Sequence, residues 1–511
     1  MSIYIAVHFL MDWVYTHPNI SAVVSLTSLL LWLSVRRPSN IPPNPWFIFP
    51  LVGHRPLLRG DPIETLRRLR KELGEVFSVY IDAQLVIVVS GMAAIREAFL
   101  IRGDEFHWRP NTRTCDLFHF GVICNSGKEW REQRKTTEAG IRHISPNIAL
   151  LVRKESQQLI KALKDEAGKA FDPKVLLHSA VFNALTSVLT SRRMDYKDAR
   201  VEKAIERYTE NLGLFSDSKF PNFFPFQKFL MGDFFDVKFL RINMTEIHQK
   251  VINPVYEEHK SEFDHEQVLD FLDVYLREMK AHKNVEKTTI EEKSCQAVLY
   301  DLLWHGTTTT GATLYWAVLY ILNYPDVAVK ARDQITDYLV QLEERNSSAG
   351  AGDTNSATSK SLIELPAYFK AFIHEVQRCA NICPLSMAHA VAKEKFLKGY
   401  RVPGDAVILP NLDSLMMDED IWGDPEVFRP ERFLNSDGKL SVPTEFIPFF
   451  LGIRNCPASS IAQNILLTNL IYILYHFDLE PEVQGQVPVM VRQKGLIPMP
   501  KDFKVKFMPC R

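Results

Sequence analysis

The first 35 residues are strongly apolar, with Asp12 alone charged, and the run stops at Arg36-Arg37. Ile20–Val35 alone is shorter than the roughly 20 residues a spanning helix needs, and extension back through Pro18 to about Val14 supplies the length. The pattern predicts a membrane anchor over residues 1–35. A cleaved signal peptide fits poorly, since there is no basic n-region or small-residue cleavage site. The string from Arg37 to Pro45 holds too many prolines for a helix. It predicts a stiff extended hinge over residues 36–51. Residues 52–511 follow without a convincing linker and read as one large domain. Phe77–Ile81 and Leu85–Val89 are β-branched and aromatic runs around Asp82-Ala83, which predicts a hairpin. Beyond it the period is mostly helical. A long helix is expected from Thr289, where Thr289-Ile290-Glu291-Glu292 fits a capping box, to Asn323-Tyr324 before Pro325. Ile461–Tyr475 predicts another helix, and Phe503–Phe507 a strand after a tight turn at 495–500. The fold class is mainly α with a smaller β region (α+β).

Composition narrows the picture. A net charge of -1 and 46% hydrophobic residues describe a globular chain with no call for nucleic acid. Seven cysteines, at 115, 124, 295, 379, 383, 456 and 510, are odd in number and irregular in spacing, which argues for a reducing compartment. Cys379 and Cys383, even with His374 and His389 nearby, lack the paired C-x-x-C of a zinc site. Phenylalanines crowd residues 212–240. Core packing is their default explanation, but Pro221 and Pro225 suggest a loop, and an apolar loop is a candidate for membrane contact. Residues 346–361 read as an exposed flexible loop.

The chemistry centres on Phe449-Phe450-Leu451-Gly452-Ile453-Arg454-Asn455-Cys456-Pro457-Ala458. Gly452 and Pro457 force a loop with Cys456 at the mouth of a helix, Pro457 fitting the first turn. The helix dipole and Arg454 are expected to lower the thiol pKa, making a better metal ligand. Phe449 is placed to shield the sulfur, and Ala458 leaves room for a flat cofactor. The plainer alternative is a buried free cysteine before an ordinary helix. Trp130 and Arg134 are one helical turn apart and share a face able to donate to one carboxylate. His305-Gly306-Thr307-Thr308-Thr309-Thr310 is poor helix material, and its hydroxyls can bond back one turn and bend the helix. Glu375 and Arg378 can pair at i,i+3.

These blocks, in this order, resemble the cytochrome P450 family of the animal microsomal type. The cysteine loop matches its haem-thiolate signature. W-x-x-x-R stands at Trp130 and Arg134, E-x-x-R at Glu375 and Arg378, and P-E-R-F at Pro430–Phe433. The resemblance covers nearly the whole chain. It implies the P450 fold with an N-terminal anchor helix, and one haem b ligated by Cys456. It also implies cofactor contacts from Trp130, Arg134, His389, Phe449 and Arg454, with Arg432 joining Glu375 and Arg378 in a buried network. Thr309 aligns with the catalytic threonine of the oxygen-activation motif. The block departs from that motif at His305, where a small residue is usual, and at Thr308, which replaces an acid. Three readings of His305 stand open: a proton relay, an iron ligand, or a histidine hydrogen-bonded within its helix.

The implied function is a monooxygenase inserting one atom of O2 into a lipophilic substrate such as a fatty acid, steroid or xenobiotic. Apolar segments at 299–303, 382–387 and 496–499 fit such a molecule. No dinucleotide or flavin motif is present, so the implied electron source is the membrane-bound NADPH-cytochrome P450 reductase. Lys128, Arg131 and Lys135 would form part of its docking face. The implied location is the endoplasmic reticulum membrane, with the catalytic domain facing the cytoplasm. Two rivals are a haem-thiolate isomerase or dehydratase of oxygenated lipids, and a haem-binding protein without turnover.

Overall fold

The computed structural model describes residues 16–35, 39–49, 52–111, 121–216, 237–286, 288–348, 365–493, 495 and 497–510. Most of the phenylalanine-rich stretch (217–236), most of the polar loop (349–364), residues 1–15, Cys115 and Leu496 lie outside the described residues. Helix α1, Pro18–Val35, exposes Ile20, Val23, Val24, Leu26 and Leu29. Its 18 residues rise about 27 Å, short of a hydrocarbon core of about 30 Å. Among the described residues no helix is long and apolar enough to cross a membrane. The predicted extension to Val14 falls outside the described residues.

From Ile41 to Pro45 the proline-rich segment is neither helix nor strand, and it is docked on the first strand. Ser78 donates its N–H to Pro43 O at 2.7 Å and its hydroxyl to Pro42 O at 2.9 Å. Seven strands are described: β1 Val76–Ile81, β2 Gln84–Val89, β3 Lys395–Leu397, β4 Tyr400–Val402, β5 Val407–Pro410, β6 Phe477–Pro481 and β7 Val505–Pro509. The β1–β2 hairpin turns at Asp82-Ala83 as the sequence indicates, with Asp82 left-handed at φ 54°. β5 adds in parallel to β2, pairing Ile87 with Ile408. Alternation then gives the sheet two buried faces. Helix α2, Pro62–Leu73, capped by Asp61, covers one with Leu66 and Leu69. Ile95, Ala98, Phe99 and Phe106 cover the other. β7 begins two residues later than the sequence pattern suggested and pairs antiparallel with β6.

The helical region is larger. It includes α3 (Gly127–Asp165), α4 (Lys174–Thr190), α5 (Asn253–Glu262) and α6 (Phe271–His282). The long rod α7 then joins Glu292–Tyr300, a π-turn at Asp301–His305, and Gly306–Asn323. It is followed by α8 (Pro325–Ser348), α9 (Ala367–Ala380) and α10 (Ser459–His476). The start of α7 corrects the sequence reading. Glu291, not Thr289, is its N-cap, in a capping box with Ser294. Thr289 instead donates its N–H and hydroxyl to Glu132 of α3 at 3.2 and 2.7 Å. The stop before Pro325 is as expected, and Pro325 opens α8. α7 is buried on nearly all sides, which is why its apolar residues show no single stripe.

Glu375 and Arg378 lie wholly buried on α9. Arg378 grips Glu375 through two bonds of 2.7 and 2.9 Å. Arg432 adds a third at 3.0 Å and the Arg429 N–H a fourth at 2.8 Å. The network implied by the resemblance is therefore present, and each buried charge is paired as tolerance of burial requires.

Candidate active site

The thiol-bearing loop is built from two left-handed residues, Phe450 at φ 62° and Gly452 at φ 74°. A Cβ on Gly452 would land on the Phe99 carbonyl oxygen, so glycine is required there twice over. The Cys456 N–H closes the loop on Phe449 O at 2.9 Å. Phe449 itself is half-buried. Helix α10 starts at Ser459 with Ala458 as N-cap, so Pro457 precedes the first turn instead of occupying it.

The expected cation near the sulfur is corrected. Arg454 turns away, donating to His107 O at 2.8 Å, Val122 O at 3.2 Å and Asn125 O at 2.5 Å. Its guanidinium sits 3.9 Å over the Trp130 ring. Burial pushes the Cys456 thiol up, against the Ala458 N–H and the charge of Arg134, which favour the thiolate. The lowered pKa expected from the helix dipole is outweighed because the sulfur lies inside the protein.

Trp130 and Arg134 do share one side of α3, and both hold the loop. Trp130 carries Arg454. Arg134 donates to Asn455 O at 2.7 Å and Asn455 Oδ1 at 2.6 Å, and pairs with Glu138 at 2.6 Å. His389 is 1% exposed, its backbone bridged to Ile408. Its Nδ1 lies 2.7 Å from Phe106 O, so Nδ1 carries the proton, and Nε2 is buried without a partner. Burial and Arg109 hold the ring neutral.

Two residues beside this group had no motif to announce them. The His107 ring lies tilted against Trp130 at 5.3 Å, with its Nε2 likewise buried and unpartnered. Arg109 donates to Ile123 O at 2.8 Å and Ala388 O at 2.9 Å. Their segment joins the site because the Ala390 N–H bonds to Trp108 O at 2.7 Å, a contact between residues far apart in sequence.

On α7 the threonines do bond back. Thr307, Thr308 and Thr309 donate to the carbonyls of Leu303, Trp304 and His305 at 2.5, 2.9 and 2.7 Å. The irregularity is the π-turn just before Gly306, and His305 ends it. His305 Nδ1 lies 3.1 Å from the Asp301 carbonyl, and its ring meets Tyr208 edge-on at 5.7 Å. The in-helix hydrogen bond is thus the arrangement present. Burial pushes the imidazole down to about 4. Sequence reasoning missed Asp301, four residues earlier. It is 3% exposed, and burial raises it to about 7 against amide bonds from Ile123 and Val122. Its carboxylate stands 3.9 Å from His305 Nδ1.

The sequence profile described as Cytochrome P450 matches residues 42–507. The chain belongs to the cytochrome P450 family. Relatives include cytochrome P450 2J3 of Rattus norvegicus, 31% identical with 95% of each chain covered. Cytochrome P450 2E1 of Oryctolagus cuniculus is 29% identical, covering 91% of this chain and 92% of its own. Cytochrome P450 2J2 of Homo sapiens is 28% identical, with 97% of both covered. This P450 is therefore an oxidoreductase, a monooxygenase of the animal microsomal type, and its cofactor is haem held through a cysteine thiolate. The residues present fit that group: a thiol for iron, with indole, guanidinium and imidazole donors for two carboxylates. The Nε2 of His389 is buried without a partner and, once protonated, would donate to an incoming carboxylate.

Proposed function

We propose that Cys456 ligates the haem iron and that Trp130, Arg134, His389 and Arg454, joined by Arg109, surround the propionates. Phe449 shields the sulfur. The observation that carries this is the loop locked by Gly452 on Phe99 and by Arg134 on Asn455. Bound there, haem supplies the electron-rich iron centre at which O2 is split. A carboxylate against His389 Nε2 draws a second proton onto that ring, since an opposite charge favours the cationic form. On α7, Thr309 and Thr308 would offer hydroxyl oxygens, and His305 a neutral ring with its proton on Nδ1.

The substrate is a lipophilic small molecule, and the electrons come from NADPH-cytochrome P450 reductase. Lys128, Arg131 and Lys135 are exposed on α3, where such a partner could dock, and Arg131 shares its charge with Asp104 at 3.0 Å. Residues 1–35 anchor the chain in the endoplasmic reticulum membrane, 36–51 form the hinge, and 52–511 the haem domain facing the cytoplasm.

The test is the spectrum of the purified protein, ferric and then reduced under carbon monoxide, beside Cys456→Ser. A red-shifted Soret band in the parent and its loss in the variant are expected. A band unchanged in Cys456→Ser would remove the assignment. Reductase-dependent NADPH consumption on adding a lipophilic substrate checks the turnover. His305→Ala with unchanged turnover and spin state would deny that ring an active part.

One observation favours a second reading. Residues 306–310 hold no acid, and the Thr309 hydroxyl is bonded into its own helix. A haem-thiolate isomerase or dehydratase needs no such proton delivery. Conversion of a lipid peroxide without NADPH would favour it.

A further inference from the structure

We propose that His259, Asp270 and Asp273 form a binding site for one divalent cation of the zinc or manganese type, separate from the haem-thiolate centre. The inference does not rest on the P450 chemistry. His259 lies on α5. Asp270 caps α6 and Asp273 sits in its first turn. The three residues are 8%, 2% and 5% exposed, and one ligand atom from each lies within 4.8 Å of the others. Among the described residues this is the group of three potential metal ligands so arranged.

His259 Nε2 lies 2.8 Å from Asp273 Oδ1 and 3.5 Å from Asp270 Oδ1. Zinc bonds of 2.0–2.1 Å in tetrahedral geometry separate their ligands by about 3.3 Å, a value these two distances bracket. The carboxylates are oriented by backbone, as ligands to metals usually are. The Asp273 N–H donates to Asp270 Oδ1 at 3.0 Å, and the Leu269 N–H to Asp273 Oδ2 at 2.8 Å.

One observation asks for more than this hydrogen-bond network. Asp270 Oδ2 is buried with no hydrogen-bond partner, although the Ser191 hydroxyl lies beside this carboxylate. A buried polar atom of that kind is met by a partner or a metal. One nitrogen and two carboxylate oxygens, with room for water, is a donor set that borderline divalent ions take. The turn at residues 264–267, just before Asp270, is exposed and gives an ion a way in. A bound cation would clamp that turn between α5 and α6.

The experiment uses the haem-loaded full chain, stripped with chelator. Zn2+ is titrated calorimetrically and Mn2+ by paramagnetic resonance, beside Asp270→Asn and His259→Gln. One equivalent of high-affinity Zn2+ is expected in the parent, weakened about 10–100-fold or more in both variants, with the haem spectrum unchanged. Zn2+ should raise the thermal midpoint of the parent alone. Equal binding by the parent and Asp270→Asn would assign the ion to surface histidines and overturn the proposal. So would a parent whose thermal midpoint Zn2+ leaves unchanged. Should both variants fail to fold, the Mn2+ signal of the unaltered protein decides: one immobilised ion supports the site, and only free ion refutes it.

Discussion

The guanidinium of Arg454 lies 3.9 Å above the ring of Trp130 while its nitrogens reach three main-chain carbonyls between residues 107 and 125. One side chain thereby ties the thiol-bearing loop to α3 and to the segment before it. A desolvated cation–π contact contributes about 2 kcal/mol, and each hydrogen bond from a charged donor about 1.5–3 kcal/mol. Arg454→Ala is expected to lower haem content per mole of purified protein several-fold. Arg454→Lys keeps the charge but loses the planar fork, so it should fall between. Haem assay against protein concentration checks this. A lysine variant loaded like the parent would mean that charge alone suffices.

Gly452→Ala forces a side chain into a left-handed position already filled by the Phe99 carbonyl. Strain of this kind costs about 1–3 kcal/mol before any clash is added. The thermal midpoint should drop and haem loading should fail, while far-ultraviolet circular dichroism changes little. Normal loading would show that the loop yields more readily than its packing indicates.

The Glu375 network predicts a larger penalty. Removing one partner of a buried ion pair costs about 3–5 kcal/mol, because the other charge is stranded. Glu375→Ala strands Arg378 and Arg432 together and should abolish accumulation of folded protein. Arg432→Ala leaves the Arg378 pair intact at 2.7 Å and should be milder. The yield of soluble, haem-loaded protein from equal expression ranks the two, and the reverse ranking would contradict the geometry.

Asp301 gives stability a pH dependence whose sign follows from its raised pKa of about 7. Unfolded, the carboxyl ionises near 4; folded, it keeps its proton until about pH 7. The folded state therefore binds more protons between pH 4 and 7. Stability from this group is fully present below about pH 4 and declines as pH rises to about 7. Asp301→Asn should remove that decline. The midpoint difference between variant and parent should move in the variant's favour from pH 5 to pH 8. A difference independent of pH would mean that Asp301 ionises normally.

The sequence was most informative where function depends on neighbours along the chain. Gly452, Arg454 and Cys456 sit within one loop, Glu375 and Arg378 within one helical turn, and their spacing carries their geometry. The direction of Arg454 was not legible, because its carbonyl partners lie more than 300 residues earlier. Asp301 was missed for the same reason: burial raises it, and the Val122–Ile123 amides that meet its carboxylate lie far away in the sequence. The α7 cap was misplaced because Thr289-x-x-Glu292 is as good a local pattern as Glu291-x-x-Ser294. Glu132 on another helix decides between them.

The bond from Arg134 to Asn455 spans 321 positions, and the contact of Gly452 with Phe99 still more. A ribosome adding about 5–20 residues per second has therefore made nearly the whole protein before the thiol loop has anything to close against. The earlier half waits with Trp130 and Arg134 in place but no sulfur to present. Haem capture is accordingly a late event in the life of each molecule, and a chain truncated shortly before residue 456 carries the cradle without the ligand.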